Sequence, residues 1–241
     1  GENIRREICL TLEQMGIYPE RSHHEQGPGQ NEIDFRYSDP LTAADNAMTF
    51  QTVVKTVAGC NGLIADFSPK PLADKPGNGF HINISAKADD NSDYLHQIIA
   101  GILAKVCDMT LFLNPLNCSY QRFGNDKAPQ YISWSSENRS QLIRIPAAVG
   151  KYRRAELRSP DPTANSYLAF ALMIYAGLYG IQNHLQLAEP TDINLYKANA
   201  DVLSKFKMLP SSLRDACESA LNSDFIKQHI PNEILEIYCN R

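Results

Sequence analysis

The chain has 241 residues, of which 43% are hydrophobic and 21% charged, a composition typical of a globular protein. Its net charge of −4 gives no overall attraction to nucleic acid or to an anionic membrane, so we expect neither as a partner. The six cysteines have no C-x-x-C spacing, which favours reduced thiols in a cytoplasmic protein over a disulfide framework. With no recognisable signal peptide and no stretch of about 18 apolar residues, the sequence predicts neither export nor a membrane span. Because the first residue is glycine rather than methionine, we expect a fragment.

Apolar spacing and turn residues predict helices alternating with short strands, without internal repeats. Helices are expected from Glu2 to Met15, from Asp39 to about Gly59, and over about 92–111, 165–181, 211–221 and 233–238. Short strands are expected over 64–67, 80–85, 132–134, 142–145 and 155–157. The sequence therefore predicts an α+β fold, with a sheet-and-helix body over 1–162 and a helical part over 163–241.

The segment from His23 to Asp34 places two carboxylates around a Pro28-Gly29 reversal. If the chain folds back at that point, Glu25 lies opposite Glu32 as a cross-strand pair about 5 Å apart. Facing carboxylates repel unless a positive charge lies between them, which indicates a divalent-cation site. A solvated polar hairpin without a metal remains the alternative.

The predicted strand Phe80–Ser85 has two chemically different faces. Strand alternation places Phe80, Ile82 and Ile84 on one face and His81, Asn83 and Ser85 on the other. The polar face can bind a ligand, or it can simply be the solvated side of an antiparallel sheet. Just before the strand, the glycines of Gly77-Asn78-Gly79 allow close backbone approach to a ligand, or form an ordinary turn.

Arginines are concentrated between positions 122 and 158. They are Arg122, Arg139, Arg144, Arg153, Arg154 and Arg158. Arginine suits forked recognition of phosphate and carboxylate groups, which favours an anionic ligand over a solvated basic edge. Glu156 and Arg158 share a strand face, although Glu156 could also pair with Arg153 or Arg154 at the surface. A Walker-type phosphate loop is absent from the sequence.

Several motifs occur in a characteristic order. They are His23-His24-Glu25 with Pro28 to Glu32, Pro69-Lys70-Pro71, Gly79 to Ser85, Asn114-Pro115 through Arg122, Ala128-Pro129, Asn138 through Pro146, and Glu156 to Pro162 with Asn165 to Leu168. Together they resemble the carboxy-terminal catalytic domain of glutamine synthetase of the bacterial type I kind, along nearly the whole chain. The resemblance implies an α+β fold shared with guanidino kinases, a mainly antiparallel sheet with flanking helices and a helical carboxy-terminal part.

The resemblance also implies ATP-dependent ligation of ammonia to L-glutamate through γ-glutamyl phosphate, with two or more Mg²⁺ or Mn²⁺ ions. Metal ligands are implied at Glu25, Glu32, His81 and Glu156. Glutamate binding is implied at Gly77, Arg122, Arg139 and Arg158, and nucleotide binding at Asn83, Ser85, Arg139, Arg144 and Lys151. Catalytic positions are implied at Arg139 and on the loop that contains Asp126 and Lys127. The parent protein is expected to be a homododecamer of stacked hexameric rings.

The sequence departs from the family pattern in two respects. Lys127 precedes Ala128-Pro129, where the family usually has a glutamate that helps to deprotonate ammonium, although Asp126 is adjacent. Asn83 replaces a histidine found in many members, and its amide can still donate to phosphate. The family's upstream metal-binding glutamates and amino-terminal domain are also missing from this sequence. We therefore expect weak metal binding and little activity from this chain alone.

The sequence leaves three hypotheses for the function. The first is the catalytic part of a glutamine-forming ligase. The second is a ligase that joins γ-glutamyl phosphate to another amine such as a polyamine, and Lys127 favours it. The third is a non-enzymatic structural or regulatory homologue, against which the retained acidic residues, histidine and arginines argue.

Overall fold

The computed structural model describes residues 1–86, 92–125, 127–146 and 153–240. The helices are α1 (Glu2–Gln14), α2 (Pro40–Cys60), α3 (Leu95–Leu113), α4 (Ser166–Gln182), α5 (Ala200–Leu203), α6 (Leu213–Leu221), α7 (Asp224–His229) and α8 (Asn232–Cys239). The strands are β1 (Pro19–His24), β2 (Asn31–Phe35), β3 (Ile82–Ile84), β4 (Trp134–Ser135), β5 (Ile143–Arg144) and β6 (Ala155–Leu157). A 3-10 helix covers Asn117–Arg122.

The six helices predicted from apolar spacing are present within a few residues of the expected bounds. Helix α2 begins as its sequence predicts, because the Asp39 side chain accepts a hydrogen bond from the Thr42 amide and Pro40 occupies the first turn. The short helices α5 and α7 and the 3-10 helix were not predicted. Each is six residues or shorter, which is too short for a clear helical period.

The larger sheet has four strands in the order β3-β6-β5-β4. Strand β6 pairs antiparallel with β3 and β5, whereas β4 pairs parallel with β5. Strand β6 has the bounds predicted from the sequence, whereas β3, β4 and β5 are shorter than predicted. The strand expected over 64–67 is wrong. Ile64 is 96% exposed, so that stretch has no packed face to support a strand.

The predicted register of the β1–β2 hairpin is also wrong. The turn forms where expected, with the Gln30 amide donating to the Gly27 carbonyl. The Glu25 amide, however, donates to the Gln30 carbonyl, and His23 rather than Glu25 lies directly opposite Glu32. The strands are therefore offset by two positions from the symmetric reversal that the sequence suggested.

The main hydrophobic core surrounds α3, which packs against α4 and α6 and lies under the four-stranded sheet. Helix α3 is long and apolar enough to span a membrane by length and composition, although His96, Lys105 and Asp108 interrupt its apolar residues. Most of its apolar side chains are buried in this core, as in the central helix of a globular protein. A second, smaller core consists of Ile8 and Leu12 of α1, Ile17, and Val53 and Val57 of α2. Ile33 and Phe35 of β2 pack against it.

Candidate functional site

A row of polar side chains crosses one face of the four-stranded sheet. Asn83 of β3 lies opposite Glu156 of β6, Glu156 lies opposite Arg144 of β5, and Arg144 lies opposite Ser135 of β4. The adjacent row, on the opposite face, is buried in the main core and consists of Ile82, Leu157, Ile143 and Trp134. Strand alternation thus separates a packed face from a polar face, as the sequence predicted for β3.

Glu156 is a buried carboxylate that contacts three nitrogen-bearing side chains. Its Oε1 accepts a hydrogen bond from Arg158 Nη1 at 3.0 Å and lies 3.2 Å from His81 Nδ1, while its Oε2 lies 2.9 Å from Arg144 Nε. Burial raises the pKa of Glu156, but the hydrogen bond from His81 and the charges of Arg158 and Arg144 outweigh this effect and lower the pKa to about 2. Glu156 is therefore ionised at neutral pH.

His81 stays neutral at physiological pH despite this carboxylate. Burial lowers the pKa of His81 more than the hydrogen bond to Glu156 raises it, and the charges of Arg158 and Arg122 lower it as well. A neutral imidazole beside a carboxylate offers the nitrogen and oxygen atoms that a divalent cation can bind.

Arg153 and Arg154, which the sequence offered as surface partners of Glu156, contact other side chains. Arg153 forms an ion pair with Asp93, and Arg154 Nε donates to Asn83 Oδ1 at 3.1 Å. Because Asn83 accepts this hydrogen bond and is exposed, its amide group lies at the solvent edge of the polar row.

Arg122 lies buried beneath the Gly77 loop. Its Nη1 donates to the Ser159 carbonyl at 3.0 Å, and the Asp161 carboxylate lies 4.0 Å from the same nitrogen. Burial lowers the pKa of Arg122 to about 10 against the opposing charge of Asp161, so the guanidinium remains protonated. A Cβ atom on Gly77 would lie 2.7 Å from Arg122 Cγ and 2.5 Å from a backbone oxygen, which explains the need for glycine there.

The β1–β2 hairpin brings an imidazole and two carboxylates together. One ligand atom from each of His23, Glu25 and Glu32 lies within 4.8 Å of the others. His23 Nε2 is 3.4 Å from Glu25 Oε1 and 3.9 Å from Glu32 Oε2. Gln30, at the turn, donates to the Gly77 carbonyl at 3.0 Å and so ties this hairpin to the loop over Arg122.

Lys127 connects the hairpin to the Glu156 cluster. Its Nζ lies 3.0 Å and 2.7 Å from the two carboxylate oxygens of Glu25. Its backbone carbonyl accepts a hydrogen bond from Arg158 Nη2 at 3.4 Å. Three segments distant in sequence therefore meet at this residue.

The lysine makes the two hairpin carboxylates unequal. Burial raises the pKa of Glu25, but hydrogen bonding to and charge attraction by Lys127 outweigh it and lower the pKa to about 2. Burial raises the pKa of Glu32 to about 7, assisted by the charges of Asp34 and Glu25. Glu32 therefore retains a proton to higher pH than Glu25 does.

A protein-family model described as "Glutamine synthetase, catalytic domain" matches residues 1–241. The chain belongs to the glutamine synthetase family. A "Glutamine synthetase" of Staphylococcus aureus (strain MW2) is 43% identical over 255 residues, covering 100% of this chain and 57% of the relative. A "Glutamine synthetase" of Staphylococcus epidermidis is 42% identical with the same coverage.

Solved structures of similar proteins have the same fold. A structure described as "GmaS/ADP complex-Conformation 1" has a TM-score of 0.89 and 28% sequence identity, covering 99% of this chain and 58% of that chain. A second, described as "Apo GmaS without ligand", has a TM-score of 0.86 at the same identity. The present chain spans little more than half the length of these relatives and corresponds to the family's catalytic domain.

Two further site positions predicted from the glutamine synthetase resemblance, Arg139 and Ser85, lie exposed at the periphery. Arg139 is exposed after β4, and its charge contributes to a lowered pKa of Arg158, for which burial is the main cause. Ser85 is exposed just beyond β3. Asp126 and Lys151 lie outside the described residues.

Sequence reasoning missed two members of this site. His23 joins the two hairpin carboxylates, and a signal existed, because it lies two positions before Glu25 near the reversal. Gln30 fixes the hairpin on the Gly77 loop, 47 positions away, and no local pattern identifies that contact.

Proposed function

We propose that this chain is the catalytic domain of an ATP-dependent ligase that joins ammonia to L-glutamate through γ-glutamyl phosphate. The observation that carries the proposal is the buried Glu156 cluster, in which His81, Arg144 and Arg158 surround one carboxylate beside an acidic hairpin. This arrangement, in a member of the glutamine synthetase family, joins metal-binding groups to groups that bind anions.

Two groups of side chains fit divalent cations such as Mg²⁺ or Mn²⁺. His23, Glu25 and Glu32 offer clustered ligand atoms, and His81 and Glu156 offer a second imidazole–carboxylate pair. When bound, such ions neutralise negative charge on a nucleotide triphosphate and on the transferred phosphoryl group. Glu156 orients the Arg144 and Arg158 side chains through its two carboxylate oxygens, independently of any ion.

The arginines account for recognition of the two anionic substrates. We assign L-glutamate to Gly77, Arg122, Arg139 and Arg158, and ATP to Asn83, Ser85, Arg139, Arg144 and Lys151. Guanidinium groups that remain protonated in a buried site stabilise carboxylate and phosphoryl charge at little reorganisation cost. The buried Arg122 and Arg158 have this character, because each is only 3% exposed.

At the level of the whole protein we infer a cytoplasmic homododecamer of stacked hexameric rings that acts on glutamate, ammonia and ATP. The mainly antiparallel sheet and the division into a core over 1–162 and a helical part over 163–241 also stay predictions. Side chains from both parts enter one hydrophobic core, which supports treating them as one domain.

Phosphate release by the complete protein with ATP, glutamate and separate amines tests the activity. We expect turnover with ammonia, and a loss of at least about tenfold in kcat/KM for Arg158→Lys, because lysine cannot reproduce the two directed contacts of the guanidinium. Lys227→Met, at an exposed position of α7, is the control and should keep normal turnover. Absence of phosphate release with every amine would contradict the proposal.

A second candidate is ligation of a different amine to the same γ-glutamyl intermediate. It is favoured by Lys127, because a lysine bound to Glu25 cannot attract ammonium as an anionic residue would. In the same assay, turnover with methylamine or putrescine but not with ammonia would select this candidate.

A further inference from the structure

The contact between Lys127 and Glu25 joins residues 102 positions apart. The ammonium lies 2.7 Å and 3.0 Å from the two carboxylate oxygens, so it faces both of them at once. The exposed fractions of the two side chains are 30% and 18%, which makes this pair better shielded from solvent than a typical surface salt bridge. Glu25 also belongs to the only cluster of three potential metal ligands among the described residues.

The loop that carries Lys127 is held in an uncommon backbone conformation. Lys127 has φ of 71°, which is unfavourable for a residue with a Cβ atom. The conformation is fixed by a hydrogen bond from the Gly124 amide to the Ala128 carbonyl and by another from the Ala128 amide to the Asn125 carbonyl. Arg158 Nη2 holds the Lys127 carbonyl from the opposite side. The loop is therefore constrained at the residue whose side chain reaches Glu25.

The two observations lead to one interpretation. We propose that the Lys127 ammonium is a built-in cation of the His23–Glu25–Glu32 cluster, which competes with a divalent metal ion for the Glu25 carboxylate. The ammonium supplies the positive charge that closely spaced carboxylates require, and it does so from within the chain.

The competition follows from electrostatics at short range. A divalent ion bound by Glu25 would lie within a few ångströms of the ammonium, and their repulsion at an effective dielectric of about 20 would amount to several kcal/mol. Metal binding therefore requires the lysine side chain to leave, which breaks the ion pair. This linkage is expected to weaken the apparent metal affinity about tenfold relative to a site without the lysine.

The inference rests on the metal site of the proposed function but not on the ligation reaction. It concerns binding of Mn²⁺ alone, which needs no substrate. Lys127→Met removes the charge and keeps a long unbranched side chain, whereas Lys127→Arg keeps the charge. All three residues share the strain of a positive φ, so the comparison isolates the charge.

Titration of the complete protein with Mn²⁺, followed by electron paramagnetic resonance of the free ion, measures the competition. We expect Lys127→Met to lower the Mn²⁺ Kd of one site about tenfold, Lys127→Arg to stay within twofold of the parent, and Lys227→Met to match the parent. Combining Glu25→Gln with Lys127→Met should abolish the increase in Mn²⁺ affinity. That result would assign the increase to the Glu25 carboxylate rather than to the His81–Glu156 pair. Equal Kd values for the parent and Lys127→Met would overturn the inference.

A second measurement uses the unmodified protein. Mass spectrometry after brief treatment with an acetylating reagent reports how readily Lys127 reacts, and saturating Mn²⁺ should raise its acetylation several-fold by displacing the ammonium from Glu25. Unchanged acetylation of Lys127 while Mn²⁺ binds would overturn the inference and leave the metal site intact. If neither the parent nor Lys127→Met binds Mn²⁺, both the inference and the metal role of the hairpin fail.

Discussion

At the scale of single residues, Glu156 organises the polar face of the sheet. It is the central member of the polar row, and its two oxygens contact Arg144, Arg158 and His81. Replacing a buried carboxylate of this kind leaves buried positive charges without a partner, which is costlier than losing one hydrogen bond. We therefore expect stability and the proposed function to depend on the same side chain.

We predict that Glu156→Gln lowers the free energy of unfolding by about 3–5 kcal/mol. The variant should also change how the free energy of unfolding depends on pH in acid solution. The folded-state pKa of about 2 lies below the ordinary 4.5, so the stabilisation from Glu156 is complete above pH 4.5 and is lost as the pH falls toward 2. Urea unfolding of the parent and the variant between pH 3 and pH 7 measures both effects. The exposed Glu137→Gln is the control, and equal losses in the two variants would contradict the prediction.

At the scale of secondary-structure elements, close packing of α3 against α4 depends on two glycines. A Cβ atom on Gly101 would lie 2.0 Å from the Ala176 carbonyl oxygen, and one on Gly180 would lie 2.0 Å from the Gln97 carbonyl oxygen. Both obstacles are backbone atoms, so a side-chain rotation cannot relieve them. The two helices therefore pack too closely at this crossing for a side chain at either position.

Gly101→Ala is therefore expected to destabilise the protein by about 1–3 kcal/mol, even though alanine favours helix by about 1 kcal/mol. The matched control is Gly59→Ala near the end of α2, where an added Cβ meets nothing within 4 Å. That substitution should raise stability slightly or leave it unchanged. Thermal unfolding of both variants separates helix propensity from packing, and an unchanged melting temperature for Gly101→Ala would refute the packing argument.

The sequence could predict the long helices but not how the strands pair. Helices such as α1 and α3 follow from a period of apolar residues that lies within each segment. The hairpin register and the absence of a strand over 64–67 depend on tertiary partners that no local pattern contains. The convergence of Glu25 with Glu32 was expected from their spacing around the turn, but the position of His23 between them and the contact of Glu25 with Lys127 were not.

At the scale of the whole molecule, the structure contains two hydrophobic cores of unequal size. The larger surrounds α3, and the smaller consists of five buried residues from α1, from α2 and from the segment between α1 and β1. The smaller core supports the hairpin that carries Glu32 and presents Glu25 toward Lys127. The geometry of the candidate metal site therefore depends on the less extensively buried part of the chain.

We predict that the smaller core opens before the larger one. Leu12 in α1 and Leu172 in α4 are both fully buried, so their replacement by alanine removes the same group from two differently sized cores. Leu172→Ala should lower global stability by about 2–5 kcal/mol. Leu12→Ala should instead speed hydrogen exchange in α1 and the β1–β2 hairpin, with little change in α3.

Hydrogen exchange followed by mass spectrometry on the 241-residue chain distinguishes these responses. Uniform acceleration in both variants would show a single cooperative unit and contradict the prediction. If the hairpin opens separately, Glu25 leaves Lys127 during each opening. Mn²⁺ that binds only the assembled cluster of His23, Glu25 and Glu32 should then slow exchange in the hairpin while leaving α3 unchanged. Metal binding and the stability of the smaller core would then be linked through the side chains of His23, Glu25 and Glu32.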